Sequence, residues 1–158
     1  MEITIITAGK CKDKPILELV SHYQGRLKPF FKNKIIEVPQ SQATRPDDIK
    51  NDEAKTFLNK IEKLSGKSFI IALDERGESP STRKFAQLIK TKQEAGAFNN
   101  FCFIIGGAEG LSEEIRQKAN YILSLSKLTY PHMMVRPILL EQLYRVASVN
   151  AGHPYHRD

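Results

Sequence analysis

The stretch FCFIIGGAEGLSEE, residues 101–114, determines how the rest of the chain is interpreted. Residues 101–107 form a run of strand length, and the glycines at and after its end break it. Ser112 then stands where a helix would begin, with Glu113 and Glu114 in the first turn, where acids are favourable. A strand, a glycine turn and a helix in immediate succession indicate one unit of an α/β fold.

The same alternation of strand and helix extends in both directions from this stretch. Runs of strand length occupy residues 2–8, 34–38, 68–74 and 121–126, and apolar positions at three- to four-residue spacing predict helices between them. The run at 68–74 is apolar along its interior, which indicates a strand buried on both faces. These pairs predict an α/β fold with a mostly parallel sheet of five to six strands and helices on both faces. Because no linker interrupts the chain, we expect a single domain over residues 1–158.

Proline and small polar residues mark the predicted helix boundaries. Pro15 opens the first helix and Pro46 the second, since proline is favoured in the first turn. Ser79 followed by Pro80 predicts the N-cap and first residue of the third helix. The final helix is expected to run to about Asn150.

The final helix is apolar on more than one side. Between 137 and 149 only Glu141, Gln142, Arg145 and Ser148 interrupt apolar or aromatic residues. A surface helix needs only one apolar stripe, so a second covered face is expected. A homodimer interface is the interpretation we favour, and a helix buried within its own domain is the alternative.

The composition is that of an ordinary folded protein. Hydrophobic residues make up 41% and charged residues 27% of the 158 positions, and 24 Lys+Arg against 18 Asp+Glu give a net charge of +6. These proportions exclude a largely disordered chain. No apolar run is long enough to span a bilayer, and the N-terminus lacks the pattern of a secretory signal. Cys11 and Cys102 form no CxxC pair, so we expect a reducing cytoplasm, with no disulfide framework and no structural zinc.

The positive charge is concentrated near the N-terminus. The segment 10–34 has a charge of +5, because two acids accompany seven basic residues: Lys10, Lys12, Lys14, Arg26, Lys28, Lys32 and Lys34. A basic surface of this kind attracts phosphate backbones. A solvated face with no partner is the alternative interpretation.

Three loops at the predicted carboxyl ends of strands are candidates for a binding site. In open α/β sheets, ligands bind beyond these ends. Leu73-Asp74 closes the third strand, Gly106-Gly107 closes the fourth, and residues 126–132 follow the fifth. The glycine stretch matches neither a dinucleotide fingerprint nor a P-loop, and a tight turn explains it equally well. Its neighbouring glutamates favour a ligand with little negative charge.

The C-terminal tail, residues 151–158, is unusually rich in functional groups. His153, Tyr155, His156 and Arg157 bring two imidazoles, a phenol and a guanidinium together within five residues. These groups can stack on a base, donate to phosphate or move a proton. A disordered tail is one alternative, and a metal site with His132 is another. No carboxylate or thiolate stands at matching spacing, so we expect no metal.

The motifs together resemble one known family. The phrases LDERG, IIGGAEGL, LSLSKLTYPHMMVRPILLEQLYRV and HPYHR, with the opening ITIITAGKCKD and YQGRLKPF, are similar to the ribosomal RNA large subunit methyltransferase H family of the SPOUT superfamily. The resemblance covers essentially the whole chain. Ala108 departs from it, since many relatives have proline there.

The resemblance implies a fold, a cofactor and a substrate. It implies a trefoil knot in the C-terminal half and S-adenosylmethionine bound between the loops after the third, fourth and fifth strands. The matching cofactor positions are Leu73, Gly106, Leu125, Ser126, Lys127, Leu128, Thr129 and Tyr130. It also implies methylation of N3 of a pseudouridine in 23S rRNA, on assembled ribosomes, by a homodimer.

The chemistry expected from this resemblance is direct methyl transfer with removal of the N3 proton. In a dimer, the tail of one subunit could lie over the cofactor of the other, with His153 or His156 accepting the proton and Tyr155 orienting the base. Arg157 and Arg145 could hold a phosphate or a carbonyl. His132 is equally consistent with a structural and a catalytic role. Competing hypotheses are another RNA target, such as a tRNA base or a ribose 2′-hydroxyl, and a ribosome-binding factor without activity.

Overall fold

Strands and helices alternate strictly along the residues that the computed structural model describes, 1–156. The elements in chain order are β1 (Glu2–Ala8), α1 (Lys14–Leu27), β2 (Lys32–Val38), α2 (Pro46–Glu62), β3 (Ser68–Glu78), α3 (Thr82–Glu94), β4 (Asn100–Ile105), α4 (Glu113–Lys118), β5 (Tyr121–Leu123) and α5 (His132–Asn150). Each strand is followed by a helix, as parallel strands in one sheet require.

The five strands form one parallel sheet in the order β2-β1-β4-β3-β5. In the register, Ile5 of β1 lies between Ile35 of β2 and Phe103 of β4. Because all the strands run the same way, their carboxyl ends share one edge of the sheet. The loops singled out from the sequence therefore meet at that edge. The prediction of a mostly parallel α/β sheet is confirmed.

Alternate residues of the central strands face two separate apolar cores. Phe101 and Phe103 of β4 point to the core beneath α1, α3 and α5, whereas Cys102 and Ile104 point to the core beneath α2 and α4. All four side chains are fully buried. The helices on both faces thus explain why these strands are apolar at consecutive positions.

The start of α3 and the ends of β3 and β5 differ from the sequence prediction. Ser81, not Ser79, caps α3, and its side chain accepts a hydrogen bond from the Lys84 backbone N–H. The prediction at Ser79 is wrong because β3 continues to Glu78, where it pairs with Leu123 of β5 after a shift in register. β5 ends at Leu123, so the predicted strand at 121–126 is too long.

The apolar surface of α5 is covered within the chain itself. The helix packs against both α1 and α3. Its fully covered apolar residues are Leu139, Leu140, Leu143, Tyr144, Val146 and Ala147. Burial on two sides accounts for its composition, so the alternative of a helix buried in its own domain explains this pattern. Its composition therefore no longer argues for a homodimer.

A buried arginine fixes the start of α5 to the end of β1. Arg136 is 1% exposed, and its Nη2 donates to the carbonyl oxygens of Ala8 at 3.1 Å and Gly9 at 2.6 Å. Its Nη1 donates to Glu37, which also accepts the backbone N–H of Cys11.

None of the helices within residues 1–156 is long and apolar enough to cross a membrane.

Candidate functional site

A cavity of about 550 Å³ opens at the carboxyl edge of the sheet. A volume of this size is typical of small-molecule sites. Three segments line it: residues 73–76 in the second half of β3, residues 105–111 from the end of β4, and residues 123–132 from the end of β5, the last without Lys127. Val135 of α5 joins them. Sequence reasoning placed a site at this edge, and the structure brings the three loops together there.

The glycines of the central loop are required by the loop's own path. A Cβ on Gly106 would lie 2.8 Å from the carbonyl group of Gly110. Gly110 has a φ of 79°, and its N–H donates to the Gly107 carbonyl oxygen at 3.0 Å. The stretch is therefore a tight turn, as the alternative interpretation proposed, and this turn forms one wall of the cavity.

Carboxylates outnumber cations along the cavity wall. Asp74, Glu75 and Glu109 line it together with Arg76. Burial alone would raise the pKa of Asp74, but hydrogen bonds from Arg76 and Arg116 outweigh it and hold that pKa below its usual range. The wall consequently favours a ligand that carries positive charge over an anion.

His132 lies at the junction of the cavity and α5. Its Nε2 is buried and has no hydrogen-bond partner among residues 1–156. Burial lowers the pKa of its imidazole, and the positive charge of Arg136 lowers it further. The ring is therefore held in its neutral form, in which one nitrogen can accept a proton.

The structure gathers most of the expected cofactor positions around this cavity. Those that line it are Leu73, Gly106, Leu125, Ser126, Leu128, Thr129 and Tyr130. Lys127 does not line it, and its side chain is exposed. Leu128 is 73% exposed, so it forms part of the rim and leaves an apolar group open to a ligand.

The described part of the tail folds back along α5 instead of approaching the cavity. The ring of Tyr155 lies 4.5 Å from that of Tyr144, and its hydroxyl donates to Glu141 at 3.2 Å. The guanidinium groups of Arg26 and Arg145 lie within 5 Å of the Tyr155 ring. Burial and the charge of Glu141 raise the pKa of Tyr155 to about 12, so this phenol stays protonated near neutral pH.

The tail and the cavity belong to opposite ends of α5 in one subunit. His132 at its first residue lines the cavity, whereas the tail begins after Asn150. At a rise of about 1.5 Å per residue, this helix is about 27 Å long. His153, Tyr155 and His156 line no part of the cavity of their own chain, and Arg157 lies outside the described residues.

The basic segment does not form one continuous face. Lys10, Lys12 and Lys14 are exposed at the carboxyl end of β1, on the same edge as the cavity. Lys28 and Lys32 are exposed at the far end of α1, about 20 Å away for a helix of this length. Two residues of the segment are engaged within the chain, since Lys34 pairs with Glu2 and Arg26 donates to the Tyr144 hydroxyl.

Other candidate chemistries find no support in the described chain. Among residues 1–156, no group of three or more His, Cys, Asp or Glu side chains is placed to hold a metal ion. Cys11 and Cys102 are buried free thiols. Burial raises the pKa of the Cys102 thiol to about 12, which agrees with a small buried side chain and not with a nucleophile.

Sequence reasoning missed one charged residue beside the site. Glu53 of α2 is 3% exposed, and its carboxylate accepts the N–H of Gly107 at 3.3 Å. The available signal was its position four residues before the buried Phe57, which places an acid on the apolar face of the helix.

Comparison with known proteins identifies relatives over the full chain. A family model described as predicted SPOUT methyltransferase matches residues 1–156. The chain is 39% identical over 162 residues to the ribosomal RNA large subunit methyltransferase H of Carboxydothermus hydrogenoformans, covering 99% of this chain and 100% of that protein.

Solved structures share the fold at much lower identity. A protein of Bordetella pertussis assigned as a methyltransferase superposes with a TM-score of 0.57 at 13% identity, covering 92% of this chain and 94% of that one. A Legionella pneumophila protein assigned as a methyltransferase, in complex with the bound cofactor SAM, superposes with a TM-score of 0.50 at 12% identity, covering 92% and 66%.

Proposed function

This chain belongs to the SPOUT methyltransferase family and, within it, to the large subunit rRNA methyltransferase H group. From this premise we propose that it transfers a methyl group from S-adenosylmethionine to N3 of a pseudouridine in 23S rRNA. The observation that carries the proposal is the 39% identity to an rRNA methyltransferase H over the full length of both chains.

The cavity fits such a cofactor in size and charge. S-adenosylmethionine combines a positively charged sulfur with an uncharged adenine. The wall supplies carboxylates from Asp74, Glu75 and Glu109, and apolar surface from Leu73 and Leu128. A volume of about 550 Å³ lies within the range of sites that bury most of a ligand of this size.

Residues of all three loops would hold the cofactor. Leu73 and Gly106 would form two walls, and the third loop would provide Leu125, Ser126, Leu128, Thr129 and Tyr130. Lys127, which does not line the cavity, would hold its loop or face the RNA. Once bound, the cofactor supplies an activated methyl group on a positively charged sulfur. The protein's task is to align the base with that group and to take up the N3 proton.

The tail would complete the site from a second subunit of a homodimer. Within one chain its Tyr155 packs beside Tyr144, and His153, Tyr155 and His156 line no part of the cavity of that chain. The His153 Nδ1 accepts the Tyr155 N–H at 3.3 Å, so this ring nitrogen is engaged within its own chain. We therefore assign proton acceptance to the partner's His156, and we assign contacts with phosphate or carbonyl to Arg157 and Arg145.

His132 is the competing proton acceptor. It lines the cavity of its own chain, its imidazole is held neutral, and its Nε2 has no partner among the described residues. Substitution separates the two assignments, because loss of the acceptor lowers kcat by about 10²–10⁴. His156→Ala should show this loss, and His132→Gln should not.

The remaining parts of the proposal follow from an rRNA substrate. The domain would comprise residues 1–158 with 151–158 as its functional tail, and the enzyme would act in the cytoplasm on assembled ribosomes. Lys10, Lys12 and Lys14 would contact rRNA at the cavity edge, because exposed cations there can neutralise phosphates.

A methyl-transfer assay tests the activity directly. Purified protein is given tritiated S-adenosylmethionine with whole ribosomes, isolated large subunits or naked rRNA, and the labelled nucleotide is identified. We expect label on N3-methylpseudouridine with assembled ribosomes. Label on a tRNA base or a ribose hydroxyl would replace the proposed substrate. Ribosome binding without S-adenosylmethionine binding would make the protein a binding factor.

Complementation tests the contribution of a second subunit. A variant that ends at Asn150 has an intact cavity and no tail, whereas Gly106→Ala blocks the cavity and keeps the tail. Random pairing gives half mixed dimers with one working site each, so mixing the two inactive variants should restore roughly a quarter of the wild-type activity. A tail that acts on its own subunit would give no recovery.

A further inference from the structure

A buried carboxylate of α2 touches the glycine loop without lining the cavity. Glu53 is 3% exposed, although its helix presents mainly apolar residues, such as Ala54 and Phe57, to the core. Its Oε2 accepts the N–H of Gly107 at 3.3 Å. The backbone N–H of Ser41 lies beside the same carboxylate and lowers its pKa. The side chain therefore joins two loops that are far apart in sequence.

The contact also explains why position 107 has no side chain. A Cβ on Gly107 would lie 3.0 Å from Glu53 Oε1 and 3.2 Å from Oε2. Gly107 does not have a positive φ, so its backbone conformation alone does not demand glycine. A methyl group there would press on the carboxylate, which would have to move by a few tenths of an ångström.

A buried carboxylate lowers the stability of a fold, so stability alone does not explain why an acid stands at position 53. Burial raises the pKa of Glu53, and the nearby charge of Glu109 raises it further, while the N–H groups of Gly107 and Ser41 lower it only in part. A neutral or apolar side chain of similar size is commonly as stable at such a position. What the carboxylate adds is a fixed position for the loop that forms the central wall of the cavity.

We propose that Glu53 is a positioning residue for cofactor binding, which holds the Gly107 backbone in the conformation that receives S-adenosylmethionine. The inference rests on the proposed function, because it takes S-adenosylmethionine as the ligand of the cavity. Glu53 does not line the cavity itself, so it acts through the loop. The ionised form serves this role best, because each of its two oxygens can accept an N–H.

Glu53→Gln tests the proposal with little change in shape. The amide keeps one accepting oxygen and replaces the other with a donor, so one of the two N–H groups is left without an acceptor. We expect the Kd for S-adenosylmethionine, measured by calorimetry, to rise about tenfold or more, since a hydrogen bond to a charged group is removed. The KM for the cofactor should rise in parallel, with kcat at saturation within about twofold of wild type.

Thermal unfolding separates positioning from a merely structural role. Loss of the buried charge favours the fold and the N–H left without an acceptor disfavours it, so the Tm without ligand should stay within about 4 °C of wild type, while affinity falls. A Tm and an affinity that fall together would overturn the proposal, and so would an unchanged affinity. If the wild-type protein itself failed to bind S-adenosylmethionine, the proposed function would fail and the role of Glu53 with it, whereas an unchanged affinity in the variant would overturn only the role of Glu53.

A matched control and a second variant complete the design. Asp52→Asn changes the adjacent carboxylate, which accepts the Ser41 hydroxyl at 2.8 Å and does not contact Gly107. It should leave the Kd within about twofold.

Gly107→Ala disturbs the contact with Glu53 from the loop side and should weaken binding. Combined with Glu53→Ala, which makes room for the methyl group, its effect should shrink, and additive effects would contradict the proposed contact.

Discussion

Arg136 of the last helix donates a 2.6 Å hydrogen bond to the carbonyl oxygen of Gly9, at the end of the first strand. The same guanidinium reaches the carbonyl of Ala8 and the carboxylate of Glu37. This contact fixes the first turn of α5, whose first residue, His132, lines the cavity. The geometry of the site therefore depends on a side chain that does not line it.

Replacement of Arg136 should destabilise the fold strongly. Arg136→Met keeps the apolar stem but leaves the two carbonyl groups and Glu37 without their donor. We expect a loss of about 3–5 kcal/mol in the free energy of unfolding, measured with urea. Lys90→Met removes the exposed pair with Glu94 and should change stability by less than about 1 kcal/mol. Equal effects of the two variants would contradict the role given to Arg136.

Gly106→Ala should weaken cofactor binding by a steric effect alone, because alanine adds no charge and no polar group. The added methyl would lie 2.8 Å from the Gly110 carbonyl group, so the turn must open. We expect at least about a tenfold weaker Kd for S-adenosylmethionine, measured by calorimetry. Gly25→Ala is the control, because a Cβ there meets nothing within 4 Å and should stabilise α1 by about 0.5–1 kcal/mol. Normal binding by Gly106→Ala would show that the turn tolerates the opening.

His132 should make the fold more stable as the pH rises through the weakly acidic range. Its pKa is lowered in the folded state by burial and by Arg136, so below about pH 6.5 the unfolded chain binds a proton that the folded chain does not. Stability should fall with decreasing pH there by at most about 1.4 kcal/mol per unit from this residue.

Substitution isolates the contribution of His132 to that pH dependence. His132→Gln should flatten the dependence of the unfolding free energy between about pH 5 and pH 7, whereas His22→Gln, at an exposed position of α1, serves as the matched histidine control. A wild-type slope in His132→Gln would mean that other groups cause the dependence.

The two groups of lysines should differ in their effect on rRNA binding. Alanine at Lys10, Lys12 and Lys14 removes charge at the cavity edge, whereas alanine at Lys28 and Lys32 removes it from the far end of α1. In salt titrations of ribosome binding, the first set should lower the slope by about 0.7–0.9 for each phosphate that the protein no longer neutralises. The second set should leave the slope near the wild-type value. The opposite result would place the RNA-binding surface at the far end of α1.

The sequence predicted an element correctly where its local pattern was compatible with only one structure. The capping of α4 by Ser112 and the two-sided burial of β3 follow from local chemistry, and both are present. Both Ser79 and Ser81 can cap a helix, and the Pro80 that follows Ser79 favours the wrong one. Only the pairing of Glu78 with Leu123 decides between them, and that pairing depends on a distant strand.

The candidate site was predictable in outline and not in its supporting contacts. The strand ends identified the three loops, because parallel strands bring them to one edge. The role of Glu53 was not predicted, because its position four residues before Phe57 marks an acid on the apolar face of α2 but does not show that Gly107 lies beside it. The residues of α5 are apolar on several sides, a pattern that fits burial under two helices as well as an interface, so packing alone distinguishes them. The trefoil knot stays a prediction from the family.

The packing of the last helix against the first has a consequence for how the protein is made. β1 and α1 leave the ribosome early, but α1 finds its partner α5 only when residues 132–150 have emerged. The third wall of the cavity, from residues 123–132, emerges just as late. Because the exit tunnel encloses the most recently added residues, the core beneath α1, α3 and α5 and the cavity both stay incomplete until these segments have emerged. A partial chain that lacks α5 therefore has neither the cover of that core nor the third wall of the cavity.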